Sequence, residues 1–232
     1  MTSAHAILVA GGRGSRFGSE MPKQFQIILG KPLLAHTLDR FRASEVIAKV
    51  ILVLPRDGFE EAKRAMSPYL GDSSRVEMVS GGESRQASME AGLSFIDPGF
   101  DGLVAVHDGA RPAVPASLIR RVVEAAAADG GAIAAVPLVE TIKEATVRFF
   151  VQRTVPRERL YRAQTPQCFE YRILERAVRK ATVDGFHGTD EASLVERLPA
   201  PIRLVLGSEQ NLKVTTPEDL ERVEYYLRKG EP

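Results

Sequence analysis

Tryptophan is absent from this 232-residue chain, cysteine occurs once, and aromatic residues make up only 6%. The single cysteine, Cys168, cannot bridge within the chain, so the fold rests on its core and a reducing compartment suits it. An excess of either charge is missing as well: 31 Lys and Arg stand against 30 Asp and Glu, a net charge of +1. That balance excludes a general polyanion binder, so any phosphate chemistry has to come from a few placed cations. Long apolar runs are lacking, because stretches such as 131–139 fall far short of the roughly 20 residues of a membrane span. No basic or Arg- and Ser-rich leader stands before the first apolar run, and the expectation is a cytoplasmic protein. A chain of this length buries roughly 70–75% of the surface it exposes when unfolded, enough for one domain spanning 1–232.

What is present is an alternation. Residues 6–9, 49–54, 76–79, 103–107 and 131–136 read as short strands, rich in β-branched residues and apolar on both faces. Between them, 32–42, 58–69, 84–95 and 115–129 read as helices long enough to be crossovers. The pattern predicts an α/β fold with a mostly parallel, doubly wound, Rossmann-like sheet. After Pro137 it changes: 141–145 and 147–155 read as two strands of a projecting arm within about 138–161, with a turn near Ala145-Thr146 that lacks Gly, Asn and Asp. A helix at 170–182 follows, then a short helix that Thr189 can cap, a strand at 202–206 and a last helix opened by Thr216-Pro217-Glu218-Asp219, with Thr216 as cap.

In such sheets ligands lie beyond the carboxyl ends of the strands. The first strand ends in Ala10-Gly11-Gly12-Arg13-Gly14-Ser15-Arg16-Phe17-Gly18, followed by Pro22-Lys23-Gln24. Glycines let backbone N–H groups approach phosphate oxygens, and Arg16 and Lys23 can neutralise charge as it builds. A Walker A loop is excluded because the only Gly-Lys, Gly30-Lys31, precedes Pro32; a dinucleotide fingerprint fails at Phe17. The third strand ends in Gly81-Gly82-Glu83-Ser84-Arg85-Gln86-Ala87-Ser88, where backbone and one hydroxyl can read a small base; an ordinary turn with Ser84 as N-cap explains the same residues. The fourth ends in His107-Asp108-Gly109-Ala110-Arg111-Pro112. Asp108 is placed to hold Mg²⁺ against phosphates, or simply to pair with Arg111; His107 is given no role.

Together with Thr165-Pro166-Gln167, Thr189-Asp190-Glu191-Ala192-Ser193 and Asn211-Leu212-Lys213-Val214-Thr215, these segments resemble the 2-C-methyl-D-erythritol 4-phosphate cytidylyltransferases over nearly the whole chain. The resemblance implies transfer of a cytidylyl group from CTP to the sugar-alcohol phosphate, with release of pyrophosphate and with Mg²⁺ or another divalent cation. It implies that Arg16 and Lys23 stabilise charge at the α-phosphorus. It assigns nucleotide contacts to Ala10, Gly11, Gly12, Gly14, Ser15, Gly81, Gly82, Glu83, Arg85 and Ser88. Substrate contacts fall to Asp108, Arg111, Thr141, Arg157, Thr189 and Lys213, with Asp108 also on the metal side. It further implies a homodimer in which Arg157 acts across the interface and, with Lys213, orients the substrate for attack. Without the resemblance, Arg157 reads as one of a solvated cluster with Arg153, Arg159 and Arg162, Thr189 as a helix cap and Lys213 as a surface charge. Gly11 and Gly109 depart from the family pattern, where alanine is frequent. Two rival functions are a ribitol-5-phosphate cytidylyltransferase and a nucleotide-binding module without catalysis; no nucleic acid or membrane partner is expected.

Overall fold

A computed structural model of the chain describes residues 3–11 and 22–230. In chain order the elements are β1 (Ala4–Val9), β2 (Ile27–Ile28), β3 (Lys31–Pro32), α1 (Leu33–Arg42), β4 (Ile47–Leu54), α2 (Phe59–Met66), β5 (Val76–Ser80), α3 (Arg85–Leu93), β6 (Leu103–Asp108), α4 (Ala116–Asp129) and β7 (Gly131–Pro137). They continue with β8 (Ile142–Ala145), β9 (Val151–Val155), β10 (Tyr161–Glu170), α5 (Tyr171–Asp184), α6 (Glu191–Val195), β11 (Arg203–Leu206) and α7 (Glu218–Lys229). Seven strands form the central sheet in the order β11-β7-β10-β6-β1-β4-β5.

The sheet is mostly parallel, as the alternation predicts, and helices cover both faces. Side-chain alternation along β1 shows how. Ala6 and Leu8 point into a core with Leu34, Leu38 and Phe41 of α1 and Ile119, Val122 and Val123 of α4. Ile7 and Val9 point the other way, against Met89 and Leu93 of α3 and Leu174 and Ala177 of α5. Full burial of a Leu, Ile or Val side chain such as Leu8, Ile7 or Val122 contributes roughly 1.5–3 kcal/mol, and together these contacts hold the strand ends in fixed register.

The expected strands and helices stand within a few residues of their predicted bounds, with four corrections. The largest is β10, for which the sequence offered no strand. It lies between β6 and β7 and runs antiparallel to both. Its pairing with β7 breaks between Ala163 and Gln167, and its pairing with β6 starts at Gln167. Pro166, which cannot donate to a ladder, falls in that gap. Second, the arm's outer strand begins at Val151, not Val147. The chain turns over Thr146 to Phe150, where the Thr146 N–H donates to the Phe150 carbonyl at 2.9 Å and Phe149 takes a left-handed φ of 62°. Third, α6 is capped by Asp190 and not by Thr189: the Asp190 carboxylate accepts from the Ser193 N–H at 2.9 Å, and the Ser193 hydroxyl faces back to the Asp190 N–H at 3.4 Å. Fourth, Thr216 does not cap α7. The Asp219 carboxylate accepts from the Thr215 and Thr216 N–H groups at 2.8 and 3.0 Å, fixing the approach to a helix that starts after Pro217.

The arm, β8 paired with β9, is a separate two-stranded sheet. Among the described residues no helix is long and apolar enough to cross a membrane. Cys168 is fully buried on β10, and burial pushes its thiol up, which suits an inert core residue.

Candidate active site

The carboxyl ends of β1, β4, β5 and β6 carry the site. Gly11, Gly82, Glu83, Ser84 and Arg85 line a cleft of about 610 Å³ together with Gln24, Arg56 and Asp57. A volume of that order accommodates a nucleotide. The two glycine turns meet through Ser88. Its hydroxyl accepts from the Gly82 N–H at 3.2 Å, and a Cβ on Gly11 or Gly81 would stand 2.5 or 2.8 Å from that same oxygen. Glycine at 81, where a Cβ would also stand 3.0 Å from the Leu54 carbonyl, lets the ends of β1 and β5 close on one serine. Ala10 belongs to the same corner, its carbonyl accepting from the Gln24 side-chain amide at 2.9 Å.

A smaller pocket of about 190 Å³ adjoins it, lined by Arg85, Asp108, Arg111, Thr165, Thr189 and Lys213 among others. Arg85 lines both cavities. Asp108, at the last position of β6, is 6% exposed and meets three cations. Arg85 Nε donates to one carboxylate oxygen at 2.9 Å; Arg111 Nε at 3.3 Å and Lys213 Nζ at 2.9 Å face the other. Arg85 also grips Glu191 of α6 in a bidentate pair, at 2.7 and 3.0 Å. Arg85, Arg111 and Lys213 face the carboxylates of Asp108 and Glu191, and Asp190 lines the same pocket, so its three cations are balanced by three carboxylates.

These contacts set the charge states. Burial favours the protonated form of Asp108, but Arg85, Lys213 and Arg111 outweigh it and hold the carboxyl far below the usual carboxylate range. Burial pulls the Arg85 guanidinium down, and the carboxylates of Glu191 and Asp108 more than offset it, so it is held charged. Arg111 is lowered by burial against the opposing pull of Asp108. His107 is fully buried beside Phe41, and burial lowers its pKa to about 3. It is a neutral, hydrogen-bonding residue of the core.

Lys23 sits in a short 3-10 turn, and its ammonium donates to the carbonyl of Val214 at 2.8 Å, next in the chain to Lys213. The two lysines, from opposite ends of the sequence, thus converge on one segment. Gly12, Gly14, Ser15 and Arg16 lie outside the described residues. Thr141 and Arg157 line neither cavity; both are exposed on or beside the arm, with the Arg157 guanidinium donating to the Val139 carbonyl. Glu191, Gln167 and Asn211 received no individual role in the sequence reading. Gln167 bridges β10 to α6, donating to Asp190 at 2.8 Å and accepting from the Ala192 N–H at 2.8 Å. Their only signal in the sequence is a place in the motif segments, since most of their partners are distant along the chain.

Among the described residues no three His, Cys, Asp or Glu side chains are grouped so that they could hold a metal ion.

The match to known proteins follows the same segments. The family model for 2-C-methyl-D-erythritol 4-phosphate cytidylyltransferase matches residues 4–229. A protein of that name from Syntrophus aciditrophicus is 42% identical, over 97% of this chain and 96% of its own length. Another from Dehalococcoides mccartyi strain CBDB1 is also 42% identical, with 97% and 96% covered. The crystal structure of the Thermus thermophilus protein of the same name superposes with a TM-score of 0.79 at 34% identity, covering 98% of this chain and 100% of that one. With glycine turns, cation cluster and both cavities all inside the matched span, the chain belongs to the 2-C-methyl-D-erythritol 4-phosphate cytidylyltransferase family.

Proposed function

We propose that the described site carries out cytidylyl transfer from CTP to 2-C-methyl-D-erythritol 4-phosphate by in-line attack. An oxygen of the substrate phosphate forms a bond to the α-phosphorus of CTP as the bond from that phosphorus to the β-phosphate oxygen breaks, and pyrophosphate leaves with the electron pair. Such a reaction needs positioning and charge stabilisation more than covalent help. The nucleotide occupies the larger cleft, its base against the backbone of Gly11 and the Gly81-Gly82 turn with Ser88. Lys23, with Arg16, meets the charge that builds at phosphorus. The substrate phosphate occupies the smaller pocket, where Lys213 and Arg111 attract it and Asp108 and Thr189 offer acceptors to its hydroxyls. The observation that carries this reading is the hydrogen bond from Lys23 to the Val214 carbonyl, which ties Lys23 to the chain segment that carries Lys213.

A divalent cation fits as a companion of the triphosphate. Mg²⁺ takes few protein carboxylates, and Asp108 is a buried carboxylate of the smaller pocket, held by Arg85, which lines both cavities. When bound, the ion would neutralise and orient phosphate oxygens. The chain is further proposed to work in the cytoplasm as a homodimer, with the arm as interface and Arg157 completing the partner's substrate pocket. The exposure of Val147, Phe149 and Phe150 at the arm's tip supports an interface there.

The test is steady-state pyrophosphate release from CTP with methylerythritol phosphate or ribitol 5-phosphate, with and without Mg²⁺, for the wild type and Lys23→Ala. The expected result is turnover with methylerythritol phosphate that needs the cation and falls by about 10²–10³-fold in the variant. Turnover confined to ribitol 5-phosphate, or none with either, would overturn the reading.

A further inference from the structure

Beneath the Asp108 cluster four residues from three distant segments close a ring of hydrogen bonds. Arg111 Nη1 donates to the main-chain carbonyl of Asn211 at 2.8 Å. The Asn211 side-chain amide donates to the Thr165 carbonyl at 2.7 Å and to Gln164 Oε1 at 3.2 Å. The Thr165 hydroxyl faces His107 Nδ1 at 3.0 Å, and His107 Nε2 faces the Arg111 carbonyl at 3.3 Å. A carbonyl only accepts, so Nε2 carries the imidazole proton and Nδ1 takes the one from Thr165. The Thr165 oxygen is left to accept from the Asp108 N–H, at 3.1 Å.

We propose that His107 and Asn211 are positioning residues for the transfer, which set the direction of the Asp108 carboxylate and its distance from Lys213 without touching either substrate. Both are fully buried and neither lines the smaller pocket, whereas their ring partners Arg111 and Thr165 do. Asp108 is bound to the ring twice, through its N–H on Thr165 and through its carboxylate on Arg111. Lys213 follows two residues after Asn211 and reaches Asp108 at 2.9 Å, so the ring holds both ends of that ion pair. Packing alone does not account for Asn211. Its side-chain oxygen finds no hydrogen-bond partner, a desolvation cost that an apolar residue of like volume would avoid. What a Leu there could not supply is the pair of donated bonds that pin Gln164 and Thr165 where β10 leaves its ladder.

This inference rests on the cytidylyl-transfer reading, and the wild-type assay separates the two. Four variants decide it: Asn211→Asp, which keeps shape but turns the donor into an acceptor; Asn211→Ser; His107→Leu; and His107→Asn, whose carbonyl replaces the Nδ1 acceptor. Kinetics are measured against each substrate, with thermal melts and calorimetric CTP binding. For Asn211→Asp and His107→Leu we expect KM for methylerythritol phosphate to rise about tenfold or more and kcat to fall, with CTP binding within about twofold of wild type. His107→Asn should recover most of the loss, and Asn211→Ser, should Asn211→Asp not fold, should show the same split more weakly. A lowered melting temperature with both KM values and kcat per folded molecule unchanged would assign the ring a purely structural role and overturn the proposal. An inactive wild type would instead overturn the functional reading, and this inference with it.

Discussion

Arg85 holds Glu191 through both terminal nitrogens of its guanidinium, at 2.7 and 3.0 Å, across 106 positions of sequence. Glu191 is 1% exposed, so water cannot satisfy its carboxylate if Arg85 is removed, whereas Arg85 lines both cavities and keeps Asp108 as a partner if Glu191 is removed. Arg85→Ala should therefore destabilise the protein by about 3–5 kcal/mol, the cost of an uncompensated buried carboxylate. Denaturant unfolding of the two proteins checks it, and a loss below about 1 kcal/mol, the range of exposed pairs, would show that solvent reaches the site.

The glycine turns differ in what an added methyl group would meet. A Cβ at Gly82 would lie 2.5 Å from Ala87 Cβ and 3.0 Å from the Ala87 backbone, in the first turn of α3, which cannot yield without moving the helix. At Gly11 the nearest atom is the Ser88 hydroxyl, which can rotate. Gly82→Ala should cost about 1–3 kcal/mol and raise KM for CTP, and Gly11→Ala should cost less in both. Melting curves and CTP titrations rank the two variants; the reverse order would count against the close approach of the turns at Ser88.

His36 is buried on α1, with Nε2 2.7 Å from the Ile28 carbonyl, and burial lowers its pKa from the ordinary 6.5. Below that value the unfolded chain takes up a proton that the folded chain resists. Its contribution to stability is thus present above about pH 6.5 and is lost as the pH falls towards the lowered folded value. His36→Gln keeps a donor for Ile28 and cannot titrate. The slope of unfolding free energy between pH 6.5 and pH 5 should decrease in this variant, by at most about 1.4 kcal/mol per pH unit. An unchanged slope would show that His36 titrates alike in both states.

At the arm's tip Phe149 is 94% exposed and Phe150 70%, an apolar pair that a lone chain would leave in water. Sedimentation of the wild type should show a dimer, and the double substitution Phe149→Ser with Phe150→Ser should shift it towards monomer. If Arg157 completes the partner's pocket, kcat/KM for methylerythritol phosphate falls with dissociation while CTP binding persists. A wild type that sediments as a monomer at micromolar concentration would remove the arm from the mechanism.

The parallel strands and their crossover helices were legible along the chain because burial on both sheet faces writes itself as short apolar runs, as in Ile7-Leu8-Val9 and Val104-Ala105-Val106. The glycine turns and Asp108 were legible for a similar reason, since glycine pairs and an acid directly after a buried strand mark the edge where ligands bind. Strand β10 was hidden by its polarity. Gln164, Thr165 and Gln167 are buried there through hydrogen bonds rather than through apolar contact, and Pro166 reads as a break until the gap in the ladder that houses it is seen. Likewise Glu191, His107 and Asn211 carry no local signature, because a buried polar side chain is defined by its partners, and theirs lie up to 106 residues away. The layers, the strand ends beneath the two cavities and the family are legible along the chain, whereas which charges meet around Asp108 is set by the folded arrangement. Hydrophobic burial is periodic and so recorded locally, whereas pairing of buried charges depends on where the chain returns in space.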